Sequence, residues 1–190
     1  MLYTDGNRKL GQKKPSMPIN TQSITLTGLM GTGKSTIGKL LASKLNLPFY
    51  DSDVEIEKKY NSSISKIFSI YGEEFFRVNE KKMISKLLSK PICVIATGGG
   101  SIVDDKSHQL IRSHSISIWL YASLETLNKR LIQSKNRPLL NGKDNLKVLK
   151  LLSKERNHIY SKSDISIDSG EHSPVKTVEK IISELNLLKK

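Results

Sequence analysis

The sequence predicts an α/β protein in which a parallel sheet is covered by helices on both faces. Short apolar runs alternate along the chain with longer stretches of helical periodicity, the pattern of strand–helix–strand units. A glycine-rich segment at 28–35 lies between a strand signal and a helix signal. Polar clusters follow several of the apolar runs, at the carboxyl ends of strands where a parallel sheet collects its ligand groups. With 190 residues the chain is long enough for one domain with a substantial core.

Residues 1–22 show no hydrophobic periodicity, and Gly6, Gly11, Pro15 and Pro18 lie there among lysines and polar residues. They read as a flexible basic tail ahead of a domain spanning 23–190. One Arg, one Asp and two Ser/Thr before Pro18 give little support for a transit peptide. The first strand is expected at 24–27. Helix 34–46 follows, with Ile37, Leu40, Leu41 and Leu45 at helical spacing. The pair 49–50 marks a short second strand, and 53–88 has helical character in two or three pieces. Strands are expected at 92–96, 116–121 and 165–167, and helices at 104–113, 123–133, 145–160 and 174–188. The last helix uses Val175, Val178, Ile182 and Leu185 as its apolar stripe. A polar segment at 134–145 resembles a mobile lid. The chain has no internal repeat.

Composition narrows the function classes. No apolar run approaches the 18 residues of a membrane span, and the start lacks the apolar core of a secretory signal. The single cysteine, Cys93, excludes an intrachain disulfide framework and suits a reducing cytoplasm. The four histidines show no metal-ligand spacing. A net charge of +13 raises a nucleic-acid reading. Against it, most lysines are spread along the chain, and only 6% of residues are aromatic, which leaves few stacking platforms. A positive field also attracts anionic small molecules.

Residues 28–35 read GLMGTGKS, a full match to G-x-x-x-x-G-K-[ST]. Such a loop wraps backbone N–H groups around phosphate oxygens, with the helix N-terminus adding partial positive charge. Lys34 reaches the terminal phosphates and the Ser35 hydroxyl suits magnesium. Asp51 and Asp53 follow the second strand. Two residues apart on an extended segment, they point to one side. The same stretch also reads as a capping box, with Ser52 as cap and Glu55 three residues on. Residues 97–101 read TGGGS. Three glycines suit close approach of backbone to a ligand, or a plain flexible turn. No acid ends this strand, so Asp51 is the candidate carboxylate near a metal. Arg77, with Glu80 three residues on, Arg137 in the lid and Arg156, one turn before Tyr160, suit bidentate binding of carboxylate or phosphate. Taken singly, each arginine is better read as a surface ion pair; as a set, their meaning depends on a substrate with an anionic end.

Together, the phosphate loop, Asp51 and Asp53, Phe76-Arg77, Gly98 to Gly100, Arg137-Pro138 and Glu155-Arg156 with Tyr160 resemble shikimate kinases in order and spacing. The resemblance covers about 23–188. It implies a three-layer P-loop kinase fold with five parallel strands ordered 2-3-1-4-5 and a mobile lid. It also implies ATP-dependent phosphorylation of the 3-hydroxyl of shikimate, on the route to chorismate and aromatic amino acids, with Mg²⁺. By the resemblance, Gly31, Thr32, Gly33, Lys34, Ser35 and Thr36 would hold the nucleotide phosphates. Arg130 and Pro174 would lie near adenine, and Ser35 and Asp51 would serve the metal. Asp53 would orient or deprotonate the attacking hydroxyl. Arg77 and Arg156 would grip the carboxylate, Gly98, Gly99 and Gly100 would line the ring, and Arg137 would close over the phosphates.

The rivals are another small-molecule kinase of this fold, acting on gluconate or a nucleotide, and a nucleotide-binding regulator without turnover. A GTP switch would need an [NT]-K-x-D base-reading motif, which the chain lacks. The expected partners are ATP and shikimate, with no nucleic acid and no membrane, for a monomer in the cytoplasm.

Overall fold

A computed structural model describes residues 22–133 and 144–188. The expected tail up to residue 21 and most of the expected lid, Arg137 included, lie outside the described residues. The strands are β1 (Ser23–Thr27), β2 (Phe49–Asp51), β3 (Val94–Ala96), β4 (Ser115–Tyr121) and β5 (Ile165–Asp168). All pair in parallel, in the order β2-β3-β1-β4-β5 that the family resemblance implies. β1 is central and buried along its whole length, with Leu26 opposite Ala96 on one side and Ile118 on the other.

The helices are α1 (Lys34–Leu45), α2 (Ser52–Tyr60), α3 (Ile64–Leu88), α4 (Asp105–His114), α5 (Leu124–Ile132), α6 (Asn145–Tyr160) and α7 (Pro174–Leu187). Their starts follow capping chemistry: the side chains of Ser63, Asp104, Ser123, Asp144 and Ser173 each accept a hydrogen bond from a first-turn N–H. Pro174 then takes the position whose N–H has no helical partner. Asn46 and Asn61 close α1 and α2 in the left-handed conformation, which Asn tolerates better than most residues. The long helical region at 53–88 is therefore two helices, and the second breaks at Gly72, where φ is 81°.

Alternation in the strands feeds two core layers. Ile24, Leu26, Val94, Ile118 and Leu120 pack with Ile37, Leu41, Val178 and Ile181 of α1 and α7. On the other face Ile95 and Cys93 pack with Ile56, Ile67, Phe76, Ile84, Leu87 and Ile111 of α2, α3 and α4. A third cluster joins Leu29 and Met30, beyond β1, to Leu127, Leu131, Leu149 and Tyr160 of α5 and α6. Helices on both faces bury the strands from both sides, as an all-parallel sheet requires.

The strand order also locates the site. The chain leaves β1 toward β2 at one edge, whereas it leaves β3 and crosses to β4 on the far side of β1. The loops after β1 and β3 thus diverge and open a crevice at their carboxyl ends. Away from that crevice the lysines gather locally: Lys58, Lys59, Lys82 and Lys86 line an open groove of about 440 Å³ between α2 and α3. Helical period explains it, since Lys82 and Lys86 are four residues apart on one face of α3. Among the described residues, no helix is long and apolar enough to cross a membrane.

Candidate active site

The loop leaving β1 is shaped by backbone that only glycine accepts. Gly28 has φ 130°, and a Cβ there would lie 2.1 Å from the Leu120 carbonyl oxygen. Gly33 caps α1 without a side-chain hydrogen bond, leaving the helix N-terminus as an anion site. Thr32 is buried, and its hydroxyl donates to the Leu29 carbonyl at 2.8 Å. Lys34 Nζ donates to the carbonyls of Gly28 (2.8 Å) and Leu29 (3.0 Å), so its ammonium lies along the loop. Ser35 and Thr36 are exposed on the first turn of α1. Arg130 of α5 donates to the carbonyls of Gly31 (3.1 Å) and Ser169 (2.7 Å), tying the loop to the segment before Pro174.

Asp51, at the end of β2, accepts from the Ser35 hydroxyl at 2.6 Å and from the Asp53 backbone N–H at 3.1 Å. Asp51 is therefore the cap of α2, not Ser52 as the capping-box reading expects. Ser52 instead starts the helix, fully buried, and its Oγ accepts from Gly98 N–H at 3.0 Å. A buried hydroxyl beside the end of β3 serves the neighbouring strand's backbone in place of its own helix. The two carboxylates still reach one site, but through this cap: Asp53 lies in the first helical turn, not on an extended segment.

Gly98, Gly99 and Gly100 are packed closely by functional groups, which excludes the reading of a plain flexible turn. A Cβ on Gly98 would lie 2.4 Å from Glu80 Oε1 and 2.8 Å from Asp53 Oδ1, and one on Gly100 would lie 2.5 Å from Arg77 Nη1. A Cβ on Gly99 would lie 3.5 Å from the Gly28 carbonyl oxygen, so the two glycine loops abut. Gly98→Ala is expected to lower the unfolding free energy by about 1–3 kcal/mol, through crowding against two carboxylates. Urea unfolding measures it; an unchanged midpoint would show that the turn shifts at no cost.

Arg77 on α3 is held by Glu80 (2.8 Å) and Glu73 (3.0 Å), and its guanidinium lies over the Phe76 ring. Burial opposes its charge, but the two carboxylates prevail and hold its pKa above the usual value. Arg156 of α6 donates to the Gly99 carbonyl at 3.1 Å, and the Tyr160 hydroxyl donates to the same oxygen. The sequence marks Glu80 only as a partner of Arg77. In the fold it is almost wholly buried, accepts from the Ser101 hydroxyl at 2.5 Å and faces Asp53 across Gly98. Ser101 directly follows the glycines, and that adjacency was the available signal.

Asp53 is the electrostatic centre. Its Oδ1 is buried without a hydrogen-bond partner. Burial first, then the charges of Glu80 and Asp51, push its pKa up to about 7, against the opposing pull of Lys34 and Arg77. One carboxylate thus feels both the lysine of the phosphate loop and the arginine beside the glycine turn. No group of three or more His, Cys, Asp or Glu side chains among the described residues is arranged to hold a metal.

A phosphate loop with its lysine and hydroxyl, set across a crevice from a carboxylate and two arginines, defines a P-loop kinase acting on a small acceptor. The family model "Shikimate kinase" matches residues 30–186. A shikimate kinase of Caulobacter vibrioides is 41% identical over 168 residues, covering 88% of this chain and 84% of the relative. One from Zymomonas mobilis is 40% identical and covers 91% of this chain and 98% of the relative. The solved shikimate kinase from Acinetobacter baumannii, in complex with shikimate, superposes with a TM-score of 0.84 at 35% identity, covering 89% of this chain and 94% of that one. The chain belongs to the shikimate kinase family, and it is a phosphotransferase with an alcohol acceptor. A gluconokinase from Sinorhizobium meliloti 1021 shares the fold alone, at 15% identity and a TM-score of 0.60.

Proposed function

We propose that this protein transfers the γ-phosphoryl group of ATP to the 3-hydroxyl of shikimate, giving ADP and shikimate 3-phosphate on the route to chorismate and the aromatic amino acids. The observation that carries the reading is the position of Asp53, within electrostatic reach of Lys34 on one side and Arg77 on the other.

ATP lies with its phosphates against Gly31, Thr32, Gly33 and the N-terminal turn of α1, and Thr36 adds a hydroxyl there. Arg130 and the segment at Pro174 flank the adenine. Shikimate lies across the crevice on Gly98, Gly99 and Gly100, with its carboxylate held by the forked guanidinium groups of Arg77 and Arg156. Asp53 accepts a hydrogen bond from the 3-hydroxyl, orients it toward the γ-phosphorus and takes its proton as the new P–O bond forms. A carboxylate with a pKa raised to about 7 is a better proton acceptor than an ordinary one and is still ionised at neutral pH in a large fraction of molecules. Lys34 leaves the loop carbonyls for the transferring phosphate, and Arg137 closes over it from the lid, excluding water that would otherwise take the phosphoryl group.

Ser35 Oγ and Asp51 Oδ2, 2.6 Å apart at the phosphate loop, are the hard oxygen donors that magnesium prefers, and few enough to leave room for phosphates and water. When bound there, Mg²⁺ would neutralise phosphate charge. The protein is proposed to act as a monomer, without nucleic acid, and the segment 1–22 to be dispensable for the reaction.

An ADP-release assay with ATP, Mg²⁺ and a panel of shikimate, gluconate and nucleoside monophosphates tests the reading. Turnover with shikimate is expected, and its absence would overturn the proposal. In the same assay Arg77→Ala is expected to raise KM for shikimate about a hundredfold while leaving KM for ATP within a few-fold, the cost of losing a charge-assisted fork. Equal effects on both constants would remove its carboxylate role.

A further inference from the structure

Tyr160 has the bulkiest fully buried side chain of the described residues, and it ends α6, one turn after Arg156. Its ring lies in the cluster with Leu29 and Met30 of the phosphate loop and with Ile102, just past the glycine turn. One face stacks on Trp119 at 6.1 Å between centroids. Its hydroxyl donates to the Gly99 carbonyl, the same oxygen that accepts from Arg156 Nη1 at 3.1 Å. The two donors converge on one acceptor. A carbonyl oxygen has two lone pairs, so it can accept from the hydroxyl and the guanidinium at once. Burial, the largest influence, pushes the Tyr160 pKa up to about 12, so the proton that is donated to Gly99 stays in place at neutral pH.

We infer that Tyr160 is a positioning residue for the acceptor site: its hydroxyl fixes the Gly99 carbonyl and, through that oxygen, the Arg156 guanidinium. This rests on the reading of Arg156 and the glycine turn as the shikimate cradle. Arginine carries large side-chain freedom, and a guanidinium held by a fixed carbonyl loses less of it on gripping a carboxylate. Leu29 and Met30 of the phosphate loop share the apolar cluster of the ring, whereas the hydroxyl is engaged by Gly99 of the acceptor turn.

Tyr160→Phe keeps the ring and removes the hydroxyl. It is expected to raise KM for shikimate about tenfold, with KM for ATP within twofold of the parent value. KM does not depend on the fraction of protein that is folded, so the comparison stays readable if the variant is less stable. In an Arg156→Ala background the same change is expected to add less than about twofold, because the group it acts through is gone. An unchanged KM for shikimate, a parallel rise in both KM values, or a full tenfold effect on top of Arg156→Ala would each overturn the inference. Failure of the parent protein to turn over shikimate would instead sink the functional reading on which it rests, and that is seen before any variant is made.

Discussion

Asp53→Asn is expected to lower kcat for shikimate phosphorylation about a thousandfold while leaving the protein folded. The magnitude is that of removing a positioned general base. Asparagine keeps the size of the side chain but cannot take a proton from the hydroxyl. The parent protein should also show a pH signature. The slope of kcat/KM against pH reports groups in the free enzyme. Its acid limb is expected near pH 7, where Asp53 becomes protonated, and the residual activity of Asp53→Asn should lack that limb.

The sign for stability runs opposite to that for activity. The folded-state pKa of about 7 lies above the ordinary value of 3.8, so between those pH values the folded protein binds more protons than the unfolded chain. Stability contributed by Asp53 therefore falls as pH rises through that window, and the penalty is complete above it. Asp53→Asn should melt at a higher temperature than the parent at pH 8, with the difference shrinking toward pH 5. Such a gain in stability with loss of activity is expected at a site where a charge is buried for chemistry. Near-normal kcat in the variant, or a lower melting temperature at pH 8, would remove Asp53 from the role of strained base.

The pattern of residue types made the fold legible. Alternating apolar runs and helical periods located all five strands to within two residues: β1 and β3 are buried along their whole length, and the other strands keep enough apolar residues to stand out. The strand order was not in the periodicity and came only with the family resemblance. Boundaries failed where side chains serve a neighbouring element. Ser52 has the residue type of a cap, but its hydroxyl is taken up by Gly98 N–H from another strand, and Asp51 caps instead. Local spacing carries no record of such a long-range contact. The same limit hid the position of Glu80: its spacing from Arg77 was visible, whereas its approach to Asp53 across Gly98 depends on how α3 lies against the end of β3. Tyr160 was visible as a partner one turn from Arg156, but not its bond to Gly99, 61 residues away in sequence.

Lys34→Ala should cost at least as much as loss of Asp53, lowering kcat/KM by about three to four orders of magnitude, since charge neutralisation is most of what a phosphoryl-transfer site supplies. In the free protein the ammonium is held by the carbonyls of Gly28 and Leu29, so removing it takes away loop contacts but no core packing, and the fold should survive. A second effect separates this variant from a general loss of ATP binding. Lys34 also lowers the pKa of Asp53. Without that positive charge the Asp53 carboxylate is harder to ionise, so the acid limb of the kcat/KM profile for shikimate should move to higher pH in Lys34→Ala. A variant that merely binds ATP poorly would keep the limb where the parent has it. Rates near those of the parent would sink the role of Lys34 in transfer, and an unmoved limb would break the electrostatic link between the phosphate loop and the proton acceptor.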